Sequence, residues 1–353
     1  GFFRVAAATP KIRVADVQGN AEAVLACVRA AAEGGVGALA LPELCLTGYT
    51  CADLFLDRAL LREAEAALVW LLEETRTLPI IFTVGLPVVH AAALYNCAAV
   101  CCAGKLLGLT AKQHIPNHGE FYERRWFTPA PAEPKIAPLF AGQRDVPLGA
   151  RIVYRCEDAG ASSVAIGVEV CEDLWVPEPP STAMATELGA TVILNASASD
   201  EIIGKASYRR QLVSQQSARL YCAYAYADAG EGESTTDLVF TGHNLRTSSP
   251  RTDRCSPRRR SSAARWLWRM SISTGSVPSA AALPPGLPRR FRTAWRARCR
   301  SRLQPHGVRR EKGRALPPRR PSCSRRLIST ASFRRLRSCL LMRATLPSAA
   351  RRS

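Results

Sequence analysis

Val164-Ala165-Ile166-Gly167-Val168-Glu169-Val170-Cys171-Glu172-Asp173-Leu174-Trp175 is the stretch that decides the fold. Val164–Val168 is an apolar run of strand length, and a thiol followed by two acids stands just past its end. Val5–Thr9, Ala38–Leu41, Ile80–Val84, Ala98–Cys101, Thr191–Leu194 and Tyr221–Ala227 are runs of the same kind. Helical patterns lie between them. Arg58–Glu74 places Leu61, Leu68, Leu71 and Leu72 on one stripe, with Glu63, Glu65, Glu73 and Glu74 off it. Asn20–Glu33 and Lys205–Leu220 are similar. The alternation predicts an α/β sandwich with buried strands.

The formal net charge of +19 over 353 residues is unevenly distributed. Residues 1–245 hold 19 Lys+Arg against 27 Asp+Glu, whereas residues 246–353 hold 29 against 2. That split predicts a body at 1–245 and a separate basic tail at 246–353, rather than one globular unit. No apolar run reaches the ~18 residues of a membrane span. Gly1-Phe2-Phe3-Arg4 opens the sequence without an initiator Met and without the pattern of a secretory leader. Nine of the 13 cysteines fall in the body without the spacing of a disulfide scaffold, and thiols of a reducing cytoplasm are expected.

The tail contains 28 Arg but one Lys, with many Ser and Pro and no sustained periodicity. Three readings apply. A nucleic-acid-binding arm is disfavoured because such arms mix Lys with Arg. A disordered, solvated segment fits the composition. The third is a slipped reading frame near Leu245, since out-of-frame GC-rich coding DNA yields this mixture. Codons exist for Ser248–Pro257 that, displaced by one base, read L-V-A-P-N-G-P-L-L-A, two strands around an Asn-Gly turn. Trp268–Ile272 can likewise be displaced to A-D-V-D. The frame slip accounts best for the tail.

Three body segments carry chemistry. Glu43 lies in Leu41-Pro42-Glu43-Leu44-Cys45, a carboxylate at a strand end. Lys112 follows Leu109-Thr110-Ala111 and leads through His114, Ile115 and Pro116 to Gly119-Glu120-Phe121-Tyr122-Glu123. Cys171 completes the set. A thiol near its usual pKa of about 8.5 is mostly protonated at neutral pH and needs a base. A carboxylate in a dry pocket can take that proton, and a buried ammonium can stabilise both thiolate and oxyanion. Together the three suit hydrolysis of an amide or nitrile through a thioester.

At these residues the sequence resembles the nitrilase superfamily, whose triad is Glu, Lys and Cys in that order. More narrowly, it is similar to the glutaminase domains of glutamine-dependent NAD synthetases. That likeness rests on Glu120–Arg125, on Val170–Asp173 and on Gly230-Glu231-Gly232-Glu233-Ser234-Thr235-Thr236-Asp237-Leu238. The resemblance implies a four-layer αββα sandwich over 1–245. It implies Glu43 as general base, Lys112 as oxyanion partner, Cys171 as nucleophile and the Glu172 N–H in the oxyanion hole. Glu120 would be the second glutamate that positions Lys112. L-glutamine is the implied substrate, gripped by Ser199, Lys205, Glu172 and His118 between walls of Phe121 and Trp175. His118 stands where a tyrosine is usual, and Lys205 where some members have arginine, which keeps the charge and loses the bidentate fork. Self-association is also implied.

The resemblance assigns no cofactor to the amidase half. ATP, Mg and deamido-NAD would belong to a synthetase domain, whose Ser-Gly-Gly-x-Asp-Ser loop does not occur in this sequence. Loss of the strands after Leu245 would leave a sheet edge exposed. His114 and His118 have the i,i+4 spacing of a metal pair, but Pro116 bars a regular helix there, and no metal is expected. Cys97, Cys101 and Cys102 read as core, Arg124 and Arg125 as surface, and Gly230 and Gly232 as a turn.

Overall fold

The computed structural model describes residues 2–156, 164–247, 272–273 and 342–345. Strands β1 (Phe2–Phe3) and β2 (Val5–Ala7) lead into helix α1 (Val17–Glu33), strand β3 (Ala38–Ala40) and helix α2 (Arg58–Glu74). Strands β4 (Ile81–His90), β5 (Ala93–Cys102), β6 (Lys105–Ala111), β7 (Lys135–Phe140), β8 (Gln143–Gly149) and β9 (Val153–Cys156) follow. Then come β10 (Ala165–Val170), α3 (Pro180–Thr186), β11 (Val192–Ala196), α4 (Lys205–Leu220), β12 (Ala223–Ala227) and β13 (Leu245–Thr247). Two short strands complete the set, β14 (Ile272–Ser273) and β15 (Met342–Thr345).

Two sheets form the middle layers. The first runs β2-β3-β4-β5-β6-β8-β7 and the second β13-β12-β11-β10-β9-β15. Strands β10, β11 and β12 are mutually parallel, as their uninterrupted burial requires. Alternation along β12 shows how the layers separate. Ala223, Ala225 and Ala227 face the core between the sheets, while Tyr224 and Tyr226 join Met184 of α3 and Val213 of α4 in the outer core. Small residues inside let the sheets approach, and large ones outside fill the space beneath the helices. Across the first sheet, Cys101 faces the helices and Cys102 faces the second sheet, both buried as free thiols. The result is the expected αββα sandwich.

Helix α2 has the expected bounds, capped by Asp57, whose carboxylate accepts the Ala59 N–H at 2.8 Å. Its buried stripe is Leu60, Ala64, Ala67, Leu68, Leu71 and Leu72, so Leu60 takes the place expected for the half-buried Leu61. The run at 80–84 extends through a long hairpin, β4–β5. The strands β6 to β9 were not among the expected runs; β6 is mostly buried all the same, while β7 and the start of β8 are exposed and polar.

Past β13, the expectation of a disordered tail falls outside the described residues, except where β14 pairs with β1 and β15 with β9. The expected exposed edge is accordingly covered at β9 by β15, and β13 covers β12. Unsatisfied N–H and C=O groups at a sheet edge accept any extended segment. Among the described residues, no helix is long and apolar enough to cross a membrane.

Candidate active site

The site sits where strands of both sheets end at their carboxyl termini, the usual crevice of an α/β sheet. Glu43 follows β3, Lys112 follows β6 and Cys171 follows β10. The Glu43 loop lies against Gly85 of β4, where an added Cβ would stand 2.2 Å from the Leu44 nitrogen and 2.5 Å from the Pro42 oxygen. Only glycine permits that approach.

Lys112 is fully buried between two carboxylates. Its Nζ donates to Glu43 Oε1 at 2.7 Å and to Glu123 Oε1 at 2.6 Å. Asn96 Nδ2 donates to Glu43 Oε1 at 2.6 Å, and the Ala198 N–H donates to Glu43 Oε2 at 3.1 Å. Tyr49 donates its hydroxyl proton to Glu123 Oε1 at 2.8 Å. Burial raises Glu43 to about 7, opposed by the Lys112 ammonium and reinforced by the Glu123 charge. For Lys112 itself, burial disfavours the ammonium, but Glu123 and Glu43 together hold it firmly protonated.

Cys171 begins a single 3₁₀ turn, Cys171–Leu174, with φ of 42°. A left-handed non-glycine residue is strained and projects its side chain off the strand end. Burial, then the Glu43 charge, pushes the thiol well above its ordinary value, while Lys112 pulls it down. The resting sulfur is therefore a neutral thiol that depends on a base. Cys171 lines a pocket of about 160 Å³ with Pro116, His118, Phe121, Glu123, Glu172, Trp175, Ser199 and Lys205. That is space for a few waters at about 30 Å³ each, or one small ligand. Lys205 Nζ ion-pairs with Asp200 and lies 5.6 Å from the Phe121 ring centroid and 5.5 Å from that of Trp175. Glu172 lies 3.6 Å from His118 Nε2.

Residues 4–243 of the chain match the carbon-nitrogen hydrolase family. The chain belongs to that family. The hydrolase is 41% identical to the glutamine-dependent NAD(+) synthetase of Mycobacterium tuberculosis over 245 residues, which are 69% of this chain and 35% of the relative. It is 32% identical to the human protein of the same name over 206 residues, 56% of this chain and 28% of that one. The hydrolase thus spans about a third of the length of the curated relatives it matches. A crystal structure of a glutamine-dependent NAD(+) synthetase from Cytophaga hutchinsonii superposes with a TM-score of 0.61 at 32% identity, covering 70% of this chain and 39% of that one. An amidase from Nesterenkonia sp. shares the fold, with a TM-score of 0.53 at 20% identity over 70% of this chain and 82% of its own.

The hydrolase brings Glu43, Lys112 and Cys171 together, and gathers His118, Phe121, Glu172, Trp175, Ser199 and Lys205 around the same pocket. One expectation is corrected. Glu120 is partly exposed, and the second carboxylate on Lys112 is Glu123. The chain folds back here, the Phe121 N–H reaching His118 O and the Glu123 N–H reaching Pro116 O. That turn sends Glu123 inward. His114 and His118 diverge, the first to Asp173 and the second to Glu172. Among the described residues, no cluster of three or more His, Cys, Asp or Glu is arranged to hold a metal ion.

The Gly230–Leu238 block braces the site. Gly232, with φ of 101°, passes so close to Ile12 that a Cβ would stand 1.7 Å from its carbonyl oxygen. The turn buries Glu233, whose Oε2 accepts the Tyr49 N–H at 2.5 Å, fixing the loop that carries both Glu43 and Tyr49. On the opposite wall, Asp228 accepts the Ser199 N–H at 2.8 Å. The fully buried Arg209 donates to Ser199 Oγ at 3.2 Å and to Asp200 O at 2.9 Å. These braces escaped the sequence reading. Arg209 lies in a polar helix, and nothing local distinguishes it from its exposed neighbour Arg210.

Proposed function

We propose that the chain hydrolyses the side-chain amide of L-glutamine through a Cys171 thioester. The observation that carries this reading is the Glu43–Lys112–Cys171 arrangement beneath a pocket lined by Glu172 and by Lys205, the latter paired with Asp200. Glu172 and Lys205 complement an amino acid zwitterion, with Lys205 for the α-carboxylate and Glu172 for the α-ammonium. His118 and Ser199 supply further polar contacts, and Phe121 and Trp175 form the walls.

Glu43 takes the thiol proton as Cys171 Sγ attacks the amide carbon. The Lys112 ammonium, with the Glu172 N–H, stabilises the oxyanion. Collapse breaks the C–N bond, and the proton held by Glu43 passes to the leaving nitrogen, releasing ammonia. Water then attacks the thioester, giving its proton to Glu43. The second collapse expels glutamate and returns that proton to sulfur. Glu123 and Tyr49 hold Lys112 in place throughout.

Purified protein is expected to release ammonia from glutamine faster than from other small amides, and Cys171→Ala to abolish the release while retaining glutamine binding. Since Glu43 must be ionised to act as base and sits at about 7, the rate should rise with pH and level off above neutrality. Preference for another amide would favour a stand-alone amidase. Activity surviving in Cys171→Ala would overturn the thioester route.

The similarity to NAD(+) synthetases supports a second step, in which the ammonia amidates deamido-NAD on an ATP- and Mg-dependent domain. The Ser-Gly-Gly-x-Asp-Ser loop expected for that step does not occur in the sequence given. The family match ends at residue 243, next to the change in composition, which supports a reading-frame slip near Leu245. Sequencing genomic DNA across codons 240–275 and beyond checks it. A single-base shift restoring the Asn-Gly hairpin and a downstream Ser-Gly-Gly-x-Asp-Ser loop is the expected result, and an intact frame would refute it.

A further inference from the structure

We infer that Asp173 is a positioning residue that sets the separation of Cys171 from Lys112 by bonding to both turns that carry them. Its carboxylate is fully buried. On the Cys171 side, Oδ2 accepts the N–H of Val170, the residue before the nucleophile, at 3.1 Å. On the Lys112 side, Oδ1 accepts the N–H of Gln113 at 3.1 Å, the N–H of His114 at 2.9 Å and the His114 ring nitrogen Nδ1 at 2.9 Å. Gln113 directly follows Lys112, so one carboxylate joins the chain neighbours of both groups.

The need for such a tie follows from the fold. Cys171 belongs to the second sheet and Lys112 to the first. Between the sheets lies an apolar core of alanine, valine, isoleucine and leucine, whose cohesion is non-directional and does not fix register at the edge. Glu43 is anchored across the gap by its side chain on the Ala198 N–H and by its own N–H on Ser197 O at 3.3 Å. Lys112 bonds to Asn96, Ala130, Glu43 and Glu123, none of which is on the strand or turn of Cys171. Asp173 supplies that missing link, and its bond to Val170 also holds the turn on which Cys171 keeps its left-handed backbone.

The role rests on the amidase reading above for its kinetic consequence, but its geometric consequence can be measured without a substrate. Asp173→Asn in the full chain presents an amide NH₂ to a site ringed by donors. Alkylation of Cys171 by iodoacetamide, followed by mass spectrometry of its peptide across pH, reports whether Lys112 still assists the sulfur. The variant is expected to alkylate at least ~10-fold more slowly at neutral pH with its midpoint moved upward, and kcat for glutamine is expected to fall ~100-fold with KM within about threefold, the scale of a sub-ångström to 1 Å misplacement. Alkylation and kcat within about threefold of the parent, with only a lower Tm, would overturn the proposal. If the parent does not hydrolyse glutamine, the amidase reading fails while the alkylation comparison still decides the role of Asp173. Should Asp173→Asn not fold, His114→Ala removes the ring donor alone. A ~5-fold slower alkylation at unchanged Tm is then expected, and an unchanged alkylation profile would overturn the proposal.

Discussion

Lys112→Met is expected to abolish turnover and to destabilise the fold by about 3–5 kcal/mol, the scale for removing one partner of a buried ion pair. The ammonium is the cation that faces both Glu43 and Glu123, each of them buried. Without it, burial and mutual repulsion raise Glu43 beyond the value of about 7 that it has with Lys112 present. A carboxyl raised in the folded state contributes stability that is complete below its unfolded value of about 4.3. That contribution is lost as pH climbs through the folded value, because the unfolded chain ionises first. The deficit should therefore be small near pH 5 and grow toward pH 8. Thermal melting of parent and variant across that range checks it, and a pH-independent difference would show that Lys112 does not set the Glu43 ionisation.

Glu123→Gln is expected to lower kcat by ~100- to 1000-fold, the range for loss of a preorganised electrostatic group. The amide oxygen can still accept from Lys112 and Tyr49, so the fold should survive. The lost charge acts on Glu43, which Glu123 now pushes upward. Its removal moves the acidic limb of the rate profile to lower pH. Glu120→Gln serves as the comparison, since Glu120 does not touch Lys112. Its kcat should stay within about threefold of the parent, the range of a remote surface change. Equal losses in the two variants would return Glu120 to the site.

The sandwich was legible in the sequence through its apolar runs, and the three reactive residues through their resemblance to a Glu, Lys and Cys triad. Apolar runs locate the strands, and the polar residue that interrupts such a run marks the crevice. The strands β7 and β8 were less legible because each exposes polar residues, mixing Lys135, Arg144 and Asp145 with apolar ones. The second carboxylate was misplaced by three residues. Both Glu120 and Glu123 stand in the same short segment, and only the fold-back at Pro116–His118 determines which of them turns inward.

By itself, the sequence determined an α/β sandwich with buried strands and the change of composition near Leu245, because apolar periodicity and charge are local properties, while resemblance to a known family singled out Glu43, Lys112 and Cys171. Only the tertiary structure decided which residues set their energies. Glu123, Asp173, Arg209, Asp228 and Glu233 reach the site across separations of roughly ten to nearly two hundred residues. Each acts through burial, which removes the screening that water would otherwise provide and makes a charge several ångströms away count. Burial of a polar side chain depends on what the rest of the chain places over it, and no local pattern encodes that.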